Sequence, residues 1–297
     1  MECSPVGLVT TELAIKVLSG AALFTLLYAA GLRLTPSEVW TALSDWRRLL
    51  SLLGVNFLAV PLLTVAAAQA FSVPAPVALA MVLLGTAPFA PVVPVFTRLA
   101  RGDLALAAGL TAVFPVFCTF LTPLANRAAL ALLPPSGELR FQTLSILATL
   151  LATATAPLAL GIASRSIFPE AALRLVRPAE IVSEGVGAIS LIFVTASEYR
   201  SILATGLPAL MAMILVSEAA LLLGYWVGGR DRAARQVTGL GTANRNIALA
   251  LLVAADSYPG TPVIGSVVAN GLLLLLLGLV HVGFWRLFPG RDSRKPV

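Results

Sequence analysis

Charge is what this chain has least of. Acidic and basic residues fill 11% of its 297 positions, against roughly 25% in a soluble domain. So few charges cannot cover a water-exposed surface, whereas a lipid-exposed one can be built without them. Histidine occurs once, and cysteine only as Cys3 and Cys118. That excludes a disulfide framework and a Cys/His metal site. There is no HExxH, no Asp-rich diphosphate motif and no Ser/His/Asp set, so neither an enzyme nor a cofactor is expected. The N-terminus carries Glu2 and Glu12 in place of a basic leader, so the first span is expected to insert uncleaved.

What the chain does have is apolar length: 58% of its residues are hydrophobic. A helix crossing a bilayer needs about 20 mostly apolar residues. Nine stretches qualify: 13–32, 49–70, 76–97, 104–125, 142–163, 179–197, 206–228, 234–256 and 262–285. Ala and Leu dominate them, and they are too long and uniform for barrel strands. The expectation is an all-α polytopic membrane protein, with residues 1–297 forming a single transmembrane domain in the lipid bilayer and no soluble domain.

The net charge of +6 falls in short clusters between the apolar stretches, as topology signals do, and not in a nucleic-acid-binding patch. With the N-terminus outside, one face collects the clusters at 33–48, 98–101, 165–177, 230–235 and 286–295, the last including Arg291, Arg294 and Lys295. The other face collects only Lys16, Arg127, Arg140 and Arg200. That asymmetry places the C-terminus in the cytoplasm and the protein in the inner (plasma) membrane. Trp40, Trp46, Trp226 and Trp285 fall near the cytoplasmic interface.

Two spans are interrupted. The third contains GTAPFAPVVP (85–94), where Pro88, Pro91 and Pro94 cannot sit in one regular helix. The eighth contains TGLGTANRN (238–246), with an arginine at membrane depth. Unwound backbone is tolerated in a membrane only where protein or a watery cavity satisfies it. Paired breaks at corresponding positions of two halves point to an inverted-repeat transporter. Repeat 1 would cover about 13–125 and repeat 2 about 142–288.

At these breaks and around them the sequence resembles the bile acid:sodium symporter family. The resemblance is carried by GLRLTPSEVW (31–40), NFLAVPLL (56–63), RLARGDLALAAGLT (98–111), GTANRNIALAL (241–251) and SVVANG (266–271). It implies two inverted repeats of five helices whose broken helices cross. The first of the ten helices is expected to be absent here, leaving nine. It also implies a secondary transporter of small organic anions working by alternating access.

Residue by residue, the resemblance implies a weakened sodium site. The family glutamate falls on Gly239, its Ser-Asn pair on Val93 and Pro94, its serine on Ala107 and its crossover glutamine on Ala243. Thr111 is retained, and Asn56 replaces a glutamine. The expectation is transport without the usual two-sodium coupling. Asn244, Arg245, Asn246, Asn270 and Pro91 are the expected substrate contacts, and Asn56, Thr111 and Glu218 the expected ion- or proton-coupling residues.

Arg245 is the sharpest single feature, because mid-membrane arginine costs about 2.5–3.5 kcal/mol on insertion scales. It would either grip a substrate carboxylate with its planar fork or pair with Glu218, which lies at similar depth in the preceding span. Glu218 would alternatively carry a proton. Asp256 reads as a solvated cap, and His281 as hydrogen-bonded to a neighbour. A sodium-coupled symporter of bile-acid-like or keto-acid solutes is the alternative reading, and a channel or receptor the second. Substrate, direction of transport and oligomeric state are not written in the sequence.

Overall fold

The computed structural model describes residues 5–134 and 143–288, with side chains left undescribed at residues 5–10, 36, 38 and 41. Cys3, Arg140, Arg291, Arg294 and Lys295 lie outside the described residues. Among the described residues every regular element is helical. Eight helices are long and apolar enough to cross a membrane. This is a multi-pass, all-α membrane protein.

The chain runs through α1 (Pro5–Arg33), α2 (Pro36–Ser44), and α3 (Trp46–Gly54), which continues through a π turn (Val55–Ala59) into α4 (Val60–Ala70). Next come α5 (Ala75–Gly85), α6 (Val93–Ala100) and α7 (Leu104–Leu130). Then α8 (Thr143–Leu150) passes through a second π turn (Leu151–Thr155) into α9 (Ala156–Ile167), followed by α10 (Pro169–Ser197) and α11 (Tyr199–Leu203). The chain ends in α12 (Leu207–Val227), α13 (Arg232–Ala243), α14 (Ile247–Ser257) and α15 (Val263–Leu287). Short polar caps start several of these: Asp45 accepts from Arg48 N at 3.2 Å, Asp103 from Leu106 N at 3.0 Å and Asp231 from Ala234 N at 2.7 Å.

Three expectations need correction. The stretch expected at 179–197 begins ten residues earlier as α10, because Pro178 interrupts one backbone bond without ending the helix. Its first turns carry Glu170, Arg174 and Arg177. Residues 36–44, read as loop, form α2, which leaves Trp40 72% exposed. Asp256 is not a solvated cap: it pairs with Lys16 and accepts from Ser145 Oγ at 3.2 Å, tying α14 to α1 and α8. At the opposite end of α1, Arg33 pairs with Glu180 of α10.

Two groups of helices emerge. In one, α1 packs against α9 and α10. The α1–α9 crossing is glycine against glycine: a β-carbon on Gly31 would stand 2.5 Å from Leu158 O and 2.9 Å from Gly161 Cα. In the other, α4, α5, α12, α13, α14 and α15 pack on one another, with α14 also lying along α1, and 89% of the residues in the most apolar stretch of α13–α14 are buried. That burial, in a segment of such mixed polarity, is what allows a helix to break inside the membrane.

Candidate functional site

The break between α5 and α6 meets the break between α13 and α14, and the two satisfy each other's backbone. Phe89 N donates to Gly241 O at 3.0 Å, Ala90 N to Asn244 O at 3.1 Å, and Asn246 N to Ala87 O at 2.7 Å. Pro91 has no N–H for Ala87 O, which Asn246 serves instead, and the other carbonyls left without helical donors where α5 ends are taken up by further groups. Thr122 Oγ1 donates to Thr86 O at 2.6 Å, and the Cys118 Sγ lies 3.9 Å from Pro88 O. Thr86 Oγ1 in turn donates to Asn126 Oδ1 at 2.7 Å. Phe89 adopts a left-handed φ of 57° and stacks on Phe114, centroids 4.0 Å apart. A bulky residue in that region is strained unless its surroundings hold it there. Here two cross-break hydrogen bonds and a ring stack do so.

Arg245 lies inside this crossing with only 4% of its surface exposed. Its Nη1 donates to Gly85 O and to Asn56 Oδ1, each at 3.1 Å. Gly85 closes α5, so its carbonyl belongs to the partly negative end of a helix, where a cation is favoured. Asn56 sits on the first π turn and hands the network on, its Nδ2 donating to Leu52 O at 2.9 Å and to Thr242 Oγ1 at 3.2 Å. The Nη2 of Arg245 is buried without any hydrogen-bond partner. An unpaired donor on a buried charge is costly, so this atom is open to a ligand.

Arg245 lines a tight cavity of about 20 Å3, room for about one water, together with Thr64, Gly85, Ser217, Ala243 and Asn270, on a mostly apolar wall that includes Met81 and Met213. Of the residues expected at the substrate, Arg245 and Asn270 therefore share one cavity. Asn244 faces away: its Nδ2 donates to Leu240 O at 3.0 Å, and its unpartnered Oδ1 stands 2.7 Å from where Gly278 would carry a β-carbon. The Oδ1 of Asn246 caps α14 by accepting from Leu249 N at 3.1 Å. Pro91 is half-buried in the first break and does not line this cavity.

Among the expected coupling residues, Asn56 contacts Arg245 directly. Thr111 is buried with an unpartnered hydroxyl and lies outside the cavity. The pairing of Glu218 with Arg245 is not what the structure contains. Glu218 instead bonds His281, Oε2 to Nε2 at 2.9 Å. Glu218 leaves α12 on a face turned to α15. Sequence reasoning missed Gly85 O, Thr64 and Ser217. A backbone carbonyl has no signature, and a lone hydroxyl in an apolar run looks like any other.

Comparison with known proteins agrees with this architecture. The model of the Sodium Bile acid symporter family matches residues 21–205, more than half of the chain. No curated protein sequence matches the chain.

Proposed function

This chain belongs to the sodium bile acid symporter family, and on that premise we propose that it carries small organic anions by alternating access, holding the anion on Arg245. The observation behind this reading is the guanidinium itself: buried, spent on Asn56 and Gly85 through Nη1, left without a partner at Nη2, and part of a residue that lines a cavity together with Asn270. A carboxylate is the natural acceptor for a free guanidinium N–H, and burial strengthens the bond. In this conformation the cavity has room for about one water, so it has to widen for any substrate, and a small monocarboxylate or keto acid asks less widening of it than a sterol.

The same reading takes the fold as nine membrane crossings in two inverted repeats, with Ala75–Gly85 and Val93–Ala100 as one broken crossing and α13–α14 as the other. Helices α1, α9 and α10 would form the panel against which the crossed core moves. The arginine-rich ends and the C-terminus would face the cytoplasm across the inner membrane.

Sodium coupling is disfavoured by the donor set. Gly239, Val93, Pro94, Ala107 and Ala243 offer no side-chain oxygen, and the Asn56 oxygen already accepts from Arg245. These residues do not fit two sodium ions. A fixed cation stands against the oxygen and the helix end that a mobile one would use.

Binding of pyruvate and longer 2-keto acids to the purified protein, in sodium or in choline buffer, tests the reading. Binding should be indifferent to sodium. Arg245→Lys should weaken it by about 1–3 kcal/mol, the range for a charged hydrogen bond. A folded Arg245→Met variant that binds keto acids as tightly as the native protein would rule out this role.

A further inference from the structure

One ionisable pair lies inside the bundle and is not part of the anion site. Glu218 of α12 and His281 of α15 meet at 2.9 Å, with side chains 38% and 16% exposed. The other ring nitrogen of His281, Nδ1, is buried and has no partner. His281 is the single histidine of the chain.

The surroundings are short of other charge. Helices α4 and α5, packed on α12 and α15, carry no ionisable side chain. Arg286 of α15 itself is exposed, and on α10 Glu180 pairs with Arg33 while Glu170, Arg174, Arg177 and Glu184 are exposed; the guanidinium of Arg235 on α13 lies 4.0 Å over the Tyr225 ring, and Tyr225 and Trp285 stack between it and His281. Arg232 donates to Phe288 O, Arg48 of α3 pairs with Asp45, and Arg98 of α6 is exposed. Asp256, Glu198 and Arg200 belong to the other end of the bundle, near the start of α15. Arg245 is directed at Asn56 and Gly85.

An ionisable group in a membrane span is costly and faces a partner or a functional path. Together these two side chains form a neutral unit when they hold one proton between them, as carboxylic acid with imidazole or as carboxylate with imidazolium. Without that proton they leave a net negative charge in an apolar place. With a second proton they leave a net positive one. The pair is therefore a place where a proton can be taken up and released when water reaches it. Histidine is the side chain whose ordinary titration falls in the physiological range.

The pair is also wired to the anion cavity through the two helices that carry it. Ser217 and Ala220, flanking Glu218, line the cavity, as do Asn270 and Leu274, three and two turns before His281 on α15. Between them and His281, Gly278 packs on the unpartnered oxygen of Asn244, the neighbour of Arg245. Rotation or displacement of α15 would move His281 and the cavity wall together.

We infer that Glu218 and His281 form a proton-binding site that couples proton movement to anion carriage. The coupling role rests on the anion reading; the proton site itself does not. One anion on Arg245 and one proton on this pair would cross together without net charge transfer beyond that of the empty carrier.

The lone histidine makes a direct test practical. In protein labelled with 15N-histidine and held in lipid nanodiscs, the imidazole signals should follow protonation over about pH 5 to 9, and Glu218→Gln should displace that curve. A signal that stays constant across the range, or a curve that Glu218→Gln leaves unmoved, would overturn the site. In proteoliposomes given a pyruvate gradient, Glu218→Gln and His281→Gln should lose pyruvate-driven proton uptake, with thermal unfolding confirming that both are folded. Proton uptake equal to the native protein's would overturn the coupling and leave anion carriage standing. A titrating His281 in a protein that binds no keto acid would keep the proton site and remove the anion reading.

Discussion

The ring of Phe89 occupies the space that a β-carbon on Gly241 would need. The two residues also share a hydrogen bond, Phe89 N to Gly241 O at 3.0 Å. The crossing of the broken helices is thus built around one missing side chain. Gly241→Ala should drive the Phe89 ring off its stack on Phe114 or part the breaks. Overpacking a filled site costs about 1–3 kcal/mol, and the lost cross-break bond adds to that. Gly54→Ala is the matched control, since nothing stands within 4 Å of its added carbon. There alanine should be neutral or stabilising by up to about 1 kcal/mol, the helix-propensity difference. Thermal unfolding in detergent compares the two. A Gly241→Ala protein as stable as the native one would show that the breaks do not meet in this way.

Asn56 decides how much of Arg245 is left for a ligand. Asn56→Leu removes the acceptor from Nη1 and the donor from Thr242 Oγ1. Leaving such buried groups unpaired costs about 1–3 kcal/mol, more when one is charged. The variant should be clearly less stable. Asn56→Asp keeps the shape and turns the contact into an ion pair. It should fold, and it should lose keto-acid binding because the guanidinium is already neutralised. An Asn56→Asp protein that binds normally would argue that the anion rests elsewhere.

Glu198 follows α10, just beyond the span that ends at Ser197. Burial pushes its carboxyl up from the usual range; the Ser201 hydroxyl, donating at 3.1 Å, opposes this, and the nearby charge of Glu12 adds to it. A carboxyl raised in the folded state holds a proton that the unfolded chain has already released. Stability is therefore greatest below the unfolded value and declines as pH rises through the folded one. Glu198→Gln should remove that decline, raising the unfolding temperature at neutral pH with little change in acid. A variant whose stability runs parallel to the native curve at every pH would show that Glu198 is solvated.

Much of this molecule is legible in the amino-acid sequence alone. Apolar runs of bilayer length specify the helices, because lipid leaves the backbone no other partner than itself. Pro88, Pro91 and Pro94 mark one break, since proline cannot donate. Asn244 to Asn246 mark the other, which is shorter than the stretch 238–246 read as interrupted: Gly239 and Gly241 stay inside α13. Asp45, Asp103, Asp231 and Asn246 start helices too, a role that the sequence reading left unassigned and that the structure supplies: a short oxygen-bearing side chain serves a helix's free N–H groups.

What the sequence leaves open is who meets whom across the helices. Counting residues along the spans puts Glu218 and Arg245 at similar depth, and depth is all that such counting supplies. Rotation about each helix axis decides the rest. It turns Glu218 to His281, and it sets Arg245 against a backbone carbonyl and an asparagine oxygen that carry no formal charge. Position along a helix is a one-dimensional property fixed by hydropathy. The direction in which a side chain leaves it acquires meaning only when neighbouring helices have packed, so the partners of Arg245 are decided by the tertiary structure alone.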